Sequence, residues 1–473
     1  MHPSSLWGGY SIGSFGDAGR ELIDFLYECG FKVWQTLPFC MTDEYNSPYS
    51  SPAAFSFNPY FIDLPELYKK GYITDSELSS ARENGAYLCE FSRLKNERLP
   101  LLLKAAERAV REEDMRASVT DFLSENPQIK NAARFLILRQ RHGGTARQSR
   151  SEEKSYEHEL LLWGFLHYEF YRQWQSLKKY ANEKGIEIIG DVPIYVSLES
   201  ADVFSSPDNF LLDSSGFPIE TAGVPPDYFS PEGQMWGNPI YNYEKMAENG
   251  FSWWRERIKH AFKLFDGVRI DHFRGLDSYW SIPRGSKSAA NGSWKRGPGA
   301  ELVKILSEEA GKRLLIAEDL GNIDESVTRL LDDFSLPGMR VFEFAFLGDS
   351  DSSHLPHNYI NNIVAYSGTH DNNTLLGYLY ECERSTRRRI FDYCSYTGED
   401  IDVGCRQVIR TLFASSAGIV ILPIQDILGF GADTRMNIPG RSEGNWAYRV
   451  TREQLMAVDR KYYRSLAELY GRI

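Results

Sequence analysis

Asp271 ends a short apolar run, Asp266–Asp271, where an acidic side chain could do chemistry. An acid at the end of a buried strand costs free energy unless it is paired. Arg269 lies two residues earlier, so on a strand both side chains point the same way. A guanidinium there would lower the pKa of Asp271 and keep it ionised, which suits a carboxylate nucleophile. A purely structural Arg–Asp pair is the alternative for this segment.

A second acid, Glu318, follows the apolar residues Leu314–Ala317. An acid that ends an apolar strand tends to have a raised pKa, which suits a general acid. The alternative is the start of a helix, with Asp319 as the capping residue and Glu318 incidental.

A third group of polar residues is Gly368–Asn373, which includes His370 and Asp371 and follows another apolar run. These groups could hold the neighbouring hydroxyls of a sugar, or they could form a turn capped by an Asn or Asp side chain.

The three acids together predict the chemistry of glycosidic bond cleavage. This chemistry needs at least two carboxylates, one on each side of the bond. The pattern of a zinc hydrolase is missing: the sequence has nine histidines but no H-E-x-x-H. The chemistry requires no cofactor, and no calcium-binding loop is recognisable. We therefore predict an enzyme without a metal or a cofactor.

Seven apolar runs of strand length predict a buried parallel sheet, because each is long enough for a strand that is covered on both faces. They are 32–38, 186–191, 266–271, 314–318, 338–342, 363–366 and 418–423. Helical patterns separate most of them. The clearest covers 157–180, where large apolar residues recur every three or four positions.

The predicted fold is a (β/α)8 barrel, an α/β architecture whose active site lies at the carboxyl ends of the strands. Asp191, Asp271, Glu318 and the pair His370–Asp371 all occupy such ends. A doubly wound sheet is the alternative, but it favours a glycine-rich phosphate-binding turn that the sequence lacks.

Two long segments predict insertions into a single catalytic domain that covers residues 1–473. Residues 65–155 are charged and helical, which predicts an inserted, mainly helical subdomain. Residues 197–250 are rich in Pro, Gly, Tyr and Phe without clear periodicity, which predicts an irregular active-site loop subdomain. No C-terminal β-sandwich domain is expected.

Composition excludes several classes of protein. The net charge of −12 over 473 residues is unfavourable for a nucleic-acid binder, so no nucleic-acid partner is expected. No apolar run reaches the roughly 18 residues of a membrane span, and the first residues do not resemble a signal peptide. The six cysteines show no C-x-x-C pair, which is typical of a cytoplasmic protein. An aromatic share of 14% exceeds what a core usually requires and favours a carbohydrate ligand.

Several motifs resemble those of the amylomaltases, the 4-α-glucanotransferase family of the α-amylase-type barrels. They run in the family's order over nearly the whole chain. The segments that carry the resemblance are Trp34–Pro38, Ser47–Ser50, Asn58–Tyr60, Gly190–Val196, Ala222–Pro239, Val268–Gly275, Ile316–Gly321, Ser367–Asn372, Arg435–Gly440 and Asn445–Trp446.

The resemblance implies a role for each matching residue. Asp271 becomes the nucleophile, Glu318 the general acid and base, and Asp371 the third carboxylate, which grips substrate hydroxyls. The remaining positions bind sugar: Arg269, Asp191, His370 and Tyr49 around the sugar at the cleaved bond, and Gln234, Trp236, Tyr228 and Phe229 on the acceptor side.

The predicted function is therefore a retaining transfer of α-1,4-glucan segments from a donor to the 4-hydroxyl of glucose or a maltooligosaccharide. An α-1,4-glucan hydrolase would use the same carboxylates with water as the acceptor. A non-catalytic glycan-binding barrel is a third possibility, although such a protein has no reason to keep all three acids.

Overall fold

The computed structural model describes residues 1–83, 85–142, 156–226 and 231–473 of the chain. Within them the strands are β1 (Val33–Gln35), β2 (Glu187–Pro193), β3 (Glu220–Val224), β4 (Gln234–Pro239), β5 (Gly267–Asp271), β6 (Ser278–Pro283), β7 (Ser293–Arg296), β8 (Leu314–Ala317), β9 (Gly338–Val341), β10 (Ile363–Tyr366) and β11 (Ile419–Ile421).

The helices surround these strands and fill most of the chain between them. They are α1 (Asp17–Cys29), α2 (Leu64–Lys69), α3 (Asp75–Ser80), α4 (Phe91–Arg93), α5 (Leu99–Ala109), α6 (Glu113–Glu125), α7 (Pro127–Arg141), α8 (Glu157–Glu183), α9 (Ala201–Ser205), α10 (Tyr243–Glu248), α11 (Ser252–Leu264), α12 (Arg274–Asp277), α13 (Ala300–Ala310), α14 (Glu325–Asp333), α15 (Leu375–Glu381), α16 (Arg384–Tyr393), α17 (Ile401–Ala414), α18 (Ile424–Leu428), α19 (Arg452–Met456) and α20 (Arg460–Leu469).

The seven predicted apolar runs all form parallel strands. Four pair in the order β1-β2-β5-β8, and three in the order β9-β10-β11. The amide of Ala317 donates to the carbonyl of Pro337 at 3.0 Å, which joins the two groups between β8 and β9. Met1 and His2 border the space between β1 and β11. The strands thus follow the chain order of the predicted barrel.

Parallel register brings the acidic strand ends together. Asp191 on β2 lies opposite Arg269 on β5, and Ile270 on β5 lies opposite Ala317, the residue before Glu318. Because all carboxyl ends of a parallel sheet meet at one edge, this register is what builds a site.

Helix α8 packs along the outside of the barrel, as its periodicity predicts. Its large apolar residues Trp163, Leu166, Phe170, Trp174 and Leu177 are all buried. The indole Nε1 of Trp174 donates to the carbonyl of Leu264 at 2.9 Å, which ties α8 to the end of α11.

Part of the segment 197–250 is regular, contrary to the expectation of an irregular loop. Strands β3 and β4 belong to an antiparallel sheet with the order β4-β3-β6-β7. Gly223 and Gly237 interrupt the side-chain alternation in these two short strands, which removes the pattern that reveals a strand in sequence. The sheet places Gln234 and Trp236 near the strand ends of the barrel.

After β11 the described residues form helices α18 to α20 and no further strand. None of the described helices combines the length and the apolar character that crossing a bilayer would require.

Candidate active site

A buried arginine links two strand-end carboxylates at the centre of the site. Arg269 Nη1 donates to Asp191 Oδ2 at 2.6 Å, and Arg269 Nη2 lies 2.9 Å from Asp271 Oδ1. Burial opposes the charge of Arg269, but the two carboxylates outweigh it and hold its pKa above the ordinary value. The predicted approach of Arg269 to Asp271 is confirmed, and this contact keeps a carboxylate oriented on the cleft wall.

Glu318 lies beside this pair and is held by main-chain amides. The amide of His272 donates to Glu318 Oε2 at 2.7 Å, and the amide of Leu320 donates to Oε1 at 3.0 Å. The pKa of Glu318 is raised to about 8, chiefly by burial; the charge of Arg269 opposes this shift and that of Asp271 adds to it. Glu318 therefore carries a proton at neutral pH, which is the state that a general acid requires.

Asp319 does not cap a helix, so the alternative reading of this segment is wrong. Its Oδ1 accepts from the amide of Met339 at 2.6 Å, and its Oδ2 accepts from Arg340 Nη1 at 2.9 Å. Helix α14 is capped by Asp324 instead. Asp319 thus fastens the end of β8 to β9, which leaves Glu318 free to face the site.

An aromatic group borders the other side of the cleft. The rings of Tyr49 and His370 stack with centroids 4.9 Å apart and planes 10° from parallel. Trp446 packs against both, with centroids 5.8 Å from each ring. The hydroxyl of Tyr49 donates to Asp191 Oδ2 at 2.7 Å, and burial keeps its pKa well above the usual value, so it remains a donor.

Asp371 is half-exposed and is oriented by a distant segment. Asn437 Nδ2 donates to Asp371 Oδ1 at 2.6 Å, and His370 Nε2 lies 3.3 Å from the same oxygen. Arg435 Nη2 donates to the Asp371 carbonyl at 3.1 Å. Within Gly368–Asn373, Asn372 Oδ1 accepts from the amide of Thr369. The capped turn is therefore present, and it carries the oriented carboxylate of Asp371.

These groups meet at a cleft of about 390 Å³. Of the residues predicted from the sequence, its wall includes Tyr49, Gln234, Trp236, Asp271, His370 and Asp371. Glu318, Asp191 and Arg269 adjoin this wall, because they contact the lining residues His272, Tyr49 and Asp271, respectively. Tyr228 and Phe229, predicted on the acceptor side, lie outside the described residues.

His272 has an unusual backbone conformation that serves the site. Its φ of 53° lies in the left-handed region, which non-glycine residues adopt rarely. In this conformation its amide reaches Glu318, while its ring meets Trp236 edge-on at 4.8 Å. Sequence reasoning missed this role, although His272 follows Asp271 directly.

Asp426 is a second residue that sequence reasoning missed. Its Oδ2 accepts from Ser367 Oγ at 2.6 Å, and its Oδ1 accepts from the amide of Leu375 at 2.8 Å. Asp426 therefore holds both ends of the segment that carries Asp371. Burial raises its pKa to about 6. No sequence signal links it to a segment some fifty residues earlier.

Among the described residues, no three His, Cys, Asp or Glu side chains are grouped so that they could hold a metal ion.

A sequence profile of the family described as 4-alpha-glucanotransferase matches residues 1–455. The chain belongs to the 4-alpha-glucanotransferase family. The 4-alpha-glucanotransferase of Clostridium butyricum is 39% identical to it over 492 residues, which cover 100% of both chains. That of Synechocystis is 38% identical over 497 residues, which cover 100% of this chain and 97% of the relative.

Solved structures agree with the family assignment. The amylomaltase of Streptococcus agalactiae, solved in complex with acarbose, superposes with a TM-score of 0.95 at 36% identity, covering 100% of this chain and 98% of that one. The amylomaltase of Corynebacterium glutamicum, at 19% identity, shares the fold with a TM-score of 0.81, covering 98% of this chain and 74% of that one. The predicted family, its glycosyl-transferring activity and the barrel-type fold are confirmed.

Proposed function

We propose that this 4-alpha-glucanotransferase moves a segment of an α-1,4-glucan to the 4-hydroxyl of glucose or a maltooligosaccharide through a covalent glycosyl-enzyme. The observation that carries the proposal is the pairing of Asp271, held by Arg269, with a neighbouring Glu318 whose pKa burial raises to about 8. Two carboxyl groups with separated protonation states are what a retaining mechanism needs.

In the first step Glu318 gives its proton to the leaving glycosidic oxygen while Asp271 attacks the anomeric carbon. The bond from that carbon to the oxygen breaks, a bond to the Asp271 carboxylate forms, and a β-linked glucosyl-enzyme results. Arg269 orients the Asp271 oxygen for attack, since its Nη2 lies 2.9 Å from Oδ1.

In the second step Glu318, now ionised, removes the proton from the acceptor hydroxyl. The acceptor oxygen attacks the anomeric carbon from the opposite face, the ester to Asp271 breaks, and an α-1,4 bond forms again. Two inversions leave the configuration unchanged, and Glu318 regains the proton that it donated.

The neighbouring residues hold the sugars during both steps. The flat surface of the stacked Tyr49 and His370 rings suits the apolar face of a pyranose. Asn437 orients the Asp371 carboxylate, and we assign this carboxylate to accept from two vicinal hydroxyls. We assign Gln234 and Trp236 to the acceptor side, and the family resemblance extends this assignment to Tyr228 and Phe229.

Product analysis with maltotriose tests the proposal. Wild-type enzyme should yield both glucose and chains longer than maltotriose, with α-configured products at the earliest times. Asp271→Asn should lose turnover while remaining folded, because an amide has nearly the same shape but cannot attack. Glu318→Gln should lose transfer from maltotriose and keep its first step on a donor whose leaving group needs no proton.

Glu325→Gln on α14 is the matched control, since this exposed glutamate makes the same chemical change away from the cleft. Near-normal transfer by Asp271→Asn or Glu318→Gln would overturn the assignment. Release of glucose and maltose without longer chains in the wild type would identify a hydrolase, and binding without any turnover would identify a non-catalytic protein.

We also propose that the enzyme works in the cytoplasm and that the helices between 65 and 155 form an insertion into one catalytic domain. All six cysteines are free thiols, and five of them are buried, which suits a reducing compartment. Fractionation of cells that produce the protein, with detection in the cytosolic fraction, tests the location.

A further inference from the structure

Arg269, which contacts both Asp191 and Asp271, also contacts a methionine two strands away. Its Nε donates to Met339 Sδ at 3.3 Å. Arg269 lies on β5 and Met339 on β9, and β8 lies between these strands. Both side chains are almost completely buried, so water cannot replace the contact. The sulfur is therefore the acceptor that the fold supplies for this nitrogen.

The surroundings of Met339 restrict the type of acceptor that can stand at this position. Met339 belongs to a buried apolar cluster formed by four of the parallel strands, whose other members are Ile189, Ile316, Val341, Val364 and Tyr366. A carboxylate there would be costly to bury and would compete with Asp271 for the guanidinium. An aliphatic side chain would leave a buried donor without an acceptor. A thioether packs as an apolar group and still accepts weakly, so methionine meets both requirements.

The main chain that carries the sulfur is fixed by the segment that carries Glu318. The amide of Met339 donates to Asp319 Oδ1 at 2.6 Å, and Asp319 Oδ2 accepts from Arg340 Nη1 at 2.9 Å. Asp319 is buried and follows Glu318 directly. The same anchor that ties β9 to the end of β8 thus places Met339 opposite Arg269.

Three nitrogens of Arg269 have three different partners. Nη1 contacts Asp191 Oδ2 at 2.6 Å, Nη2 contacts Asp271 Oδ1 at 2.9 Å, and Nε contacts the sulfur. The first two contacts alone would let the guanidinium rotate about the line through Nη1 and Nη2. That rotation changes the direction of the Nη2 protons, and a hydrogen bond weakens steeply as it bends. The contact at Nε, which lies off this line, prevents the rotation.

We propose that Met339 is a positioning residue for the nucleophile: its sulfur accepts from Arg269 Nε and fixes the guanidinium plane that orients Asp271. The sulfur is uncharged, so the charge of Arg269 remains directed at its two carboxylates. Met339 is absent from the described residues that line the cleft, so it acts through Arg269 and not on the sugar. The proposal rests on the proposed function, because it takes Asp271 as the nucleophile.

Two substitutions separate the sulfur from the bulk of the side chain. Met339→Leu removes the acceptor and keeps an apolar side chain of similar volume. Met339→Gln keeps an unbranched side chain and supplies a carbonyl oxygen as the acceptor. Met246→Leu on α10 is the matched control, because this methionine is also fully buried and belongs to the main hydrophobic core.

The rate of the first step is the readout that a purely structural role would leave unchanged. It is measured as fluoride release from α-maltosyl fluoride, whose leaving group needs no proton from Glu318. We expect kcat to fall about 10- to 100-fold in Met339→Leu with little change in KM, because attack requires precise orientation of the nucleophile. Met339→Gln should recover a measurable part of kcat, and Met246→Leu should keep the wild-type value.

A packing role for Met339 gives a different result. Met339→Leu would then unfold at a lower urea concentration while the folded variant releases fluoride at the wild-type rate, and this outcome overturns the proposal. A Met339→Gln variant no faster than Met339→Leu overturns it as well.

A crystal structure of the wild-type chain provides a test that does not depend on the folding of a variant. The expected result is Met339 Sδ within hydrogen-bond distance of Arg269 Nε, and a sulfur that points away from this nitrogen refutes the proposal. Failure of the proposed function would appear separately, as retained turnover in Asp271→Asn.

Discussion

Replacing Tyr49 by phenylalanine separates the two contributions of this residue. The substitution removes the hydroxyl that donates to Asp191 Oδ2 at 2.7 Å and leaves the ring that stacks on His370 at 4.9 Å. The hydroxyl acts on a buried carboxylate, and we assign the ring to the bound sugar. We therefore expect stability to respond to Tyr49→Phe, and substrate affinity to respond chiefly to Tyr49→Ala.

The structure sets the size of each effect. The carboxylate of Asp191 is only 1% exposed, so water cannot replace the lost donor. A hydrogen bond to a charged group contributes about 1.5–3 kcal/mol to the free energy of unfolding, which is the expected cost of Tyr49→Phe. Loss of the aromatic surface in Tyr49→Ala removes a further stacking contribution of about 0.5–1.5 kcal/mol, which corresponds to an increase in KM of about 2- to 13-fold.

Tyr366 supplies a matched control. Its hydroxyl donates to Gln35 Oε1 at 2.9 Å, so Tyr366→Phe removes the same atom from a neutral acceptor. A neutral hydrogen bond contributes about 0.5–1.5 kcal/mol, so this variant should lose less stability than Tyr49→Phe.

Equilibrium urea unfolding measures the stabilities, and initial rates of maltotriose disproportionation measure KM. Equal losses of stability in Tyr49→Phe and Tyr366→Phe would show that the charge of the Asp191 carboxylate does not strengthen its hydrogen bond with Tyr49. An equal KM for Tyr49→Phe and Tyr49→Ala would refute the assignment of the ring as a sugar platform.

Three other outcomes follow from the site. Because burial raises the pKa of Glu318 to about 8, kcat/KM should fall as the pH rises through about 8, where the acid loses its proton; a profile flat to pH about 10 contradicts this. Trp236→Ala, which opens the acceptor side of the cleft, should raise the ratio of hydrolysis to transfer, measured as reducing ends released against chains redistributed; an unchanged ratio in a folded variant would show that Trp236 does not select the acceptor. Folding raises the pKa of Asp426 from about 3.8 to about 6, so its favourable contribution is complete below pH about 4 and is lost as the pH rises through about 6. The stability of Asp426→Asn relative to wild type should therefore grow by about 2 kcal/mol between pH 4 and 7 in urea titrations, and a constant difference would contradict the shift.

The barrel could be predicted because its strands are buried on both faces. Runs such as 314–317 and 363–366 are apolar throughout, a pattern that depends on local sequence alone. The sheet formed by β3, β4, β6 and β7 could not be predicted in this way. Its strands are short, and β3 and β4 contain glycines. The pairing of β3 with β6 is decided by contacts between segments about sixty residues apart, such as Glu220 with Pro283.

The site was predictable to the same extent. Asp271 ends an apolar run, and Glu318 and Asp371 follow such runs, so their positions depend on the strands that precede them. Asn437 and Asp426 belong to other segments, and their contacts with the Asp371 segment exist only in the folded chain. The backbone conformation of His272 was equally hidden, because a positive φ at a histidine is imposed by its surroundings.

The conformation at His272 has a consequence for directed evolution. The group that anchors the acid is a backbone amide, so it survives any substitution of the side chain that the backbone tolerates. Glycine and asparagine adopt a φ near 53° most readily, whereas valine and isoleucine do not. A small library at position 272 can therefore remodel the wall beside Trp236, and with it the choice of acceptor, while the proton donor stays in register. The barrel thus separates a part of the site that can diversify from a part that the main chain keeps fixed.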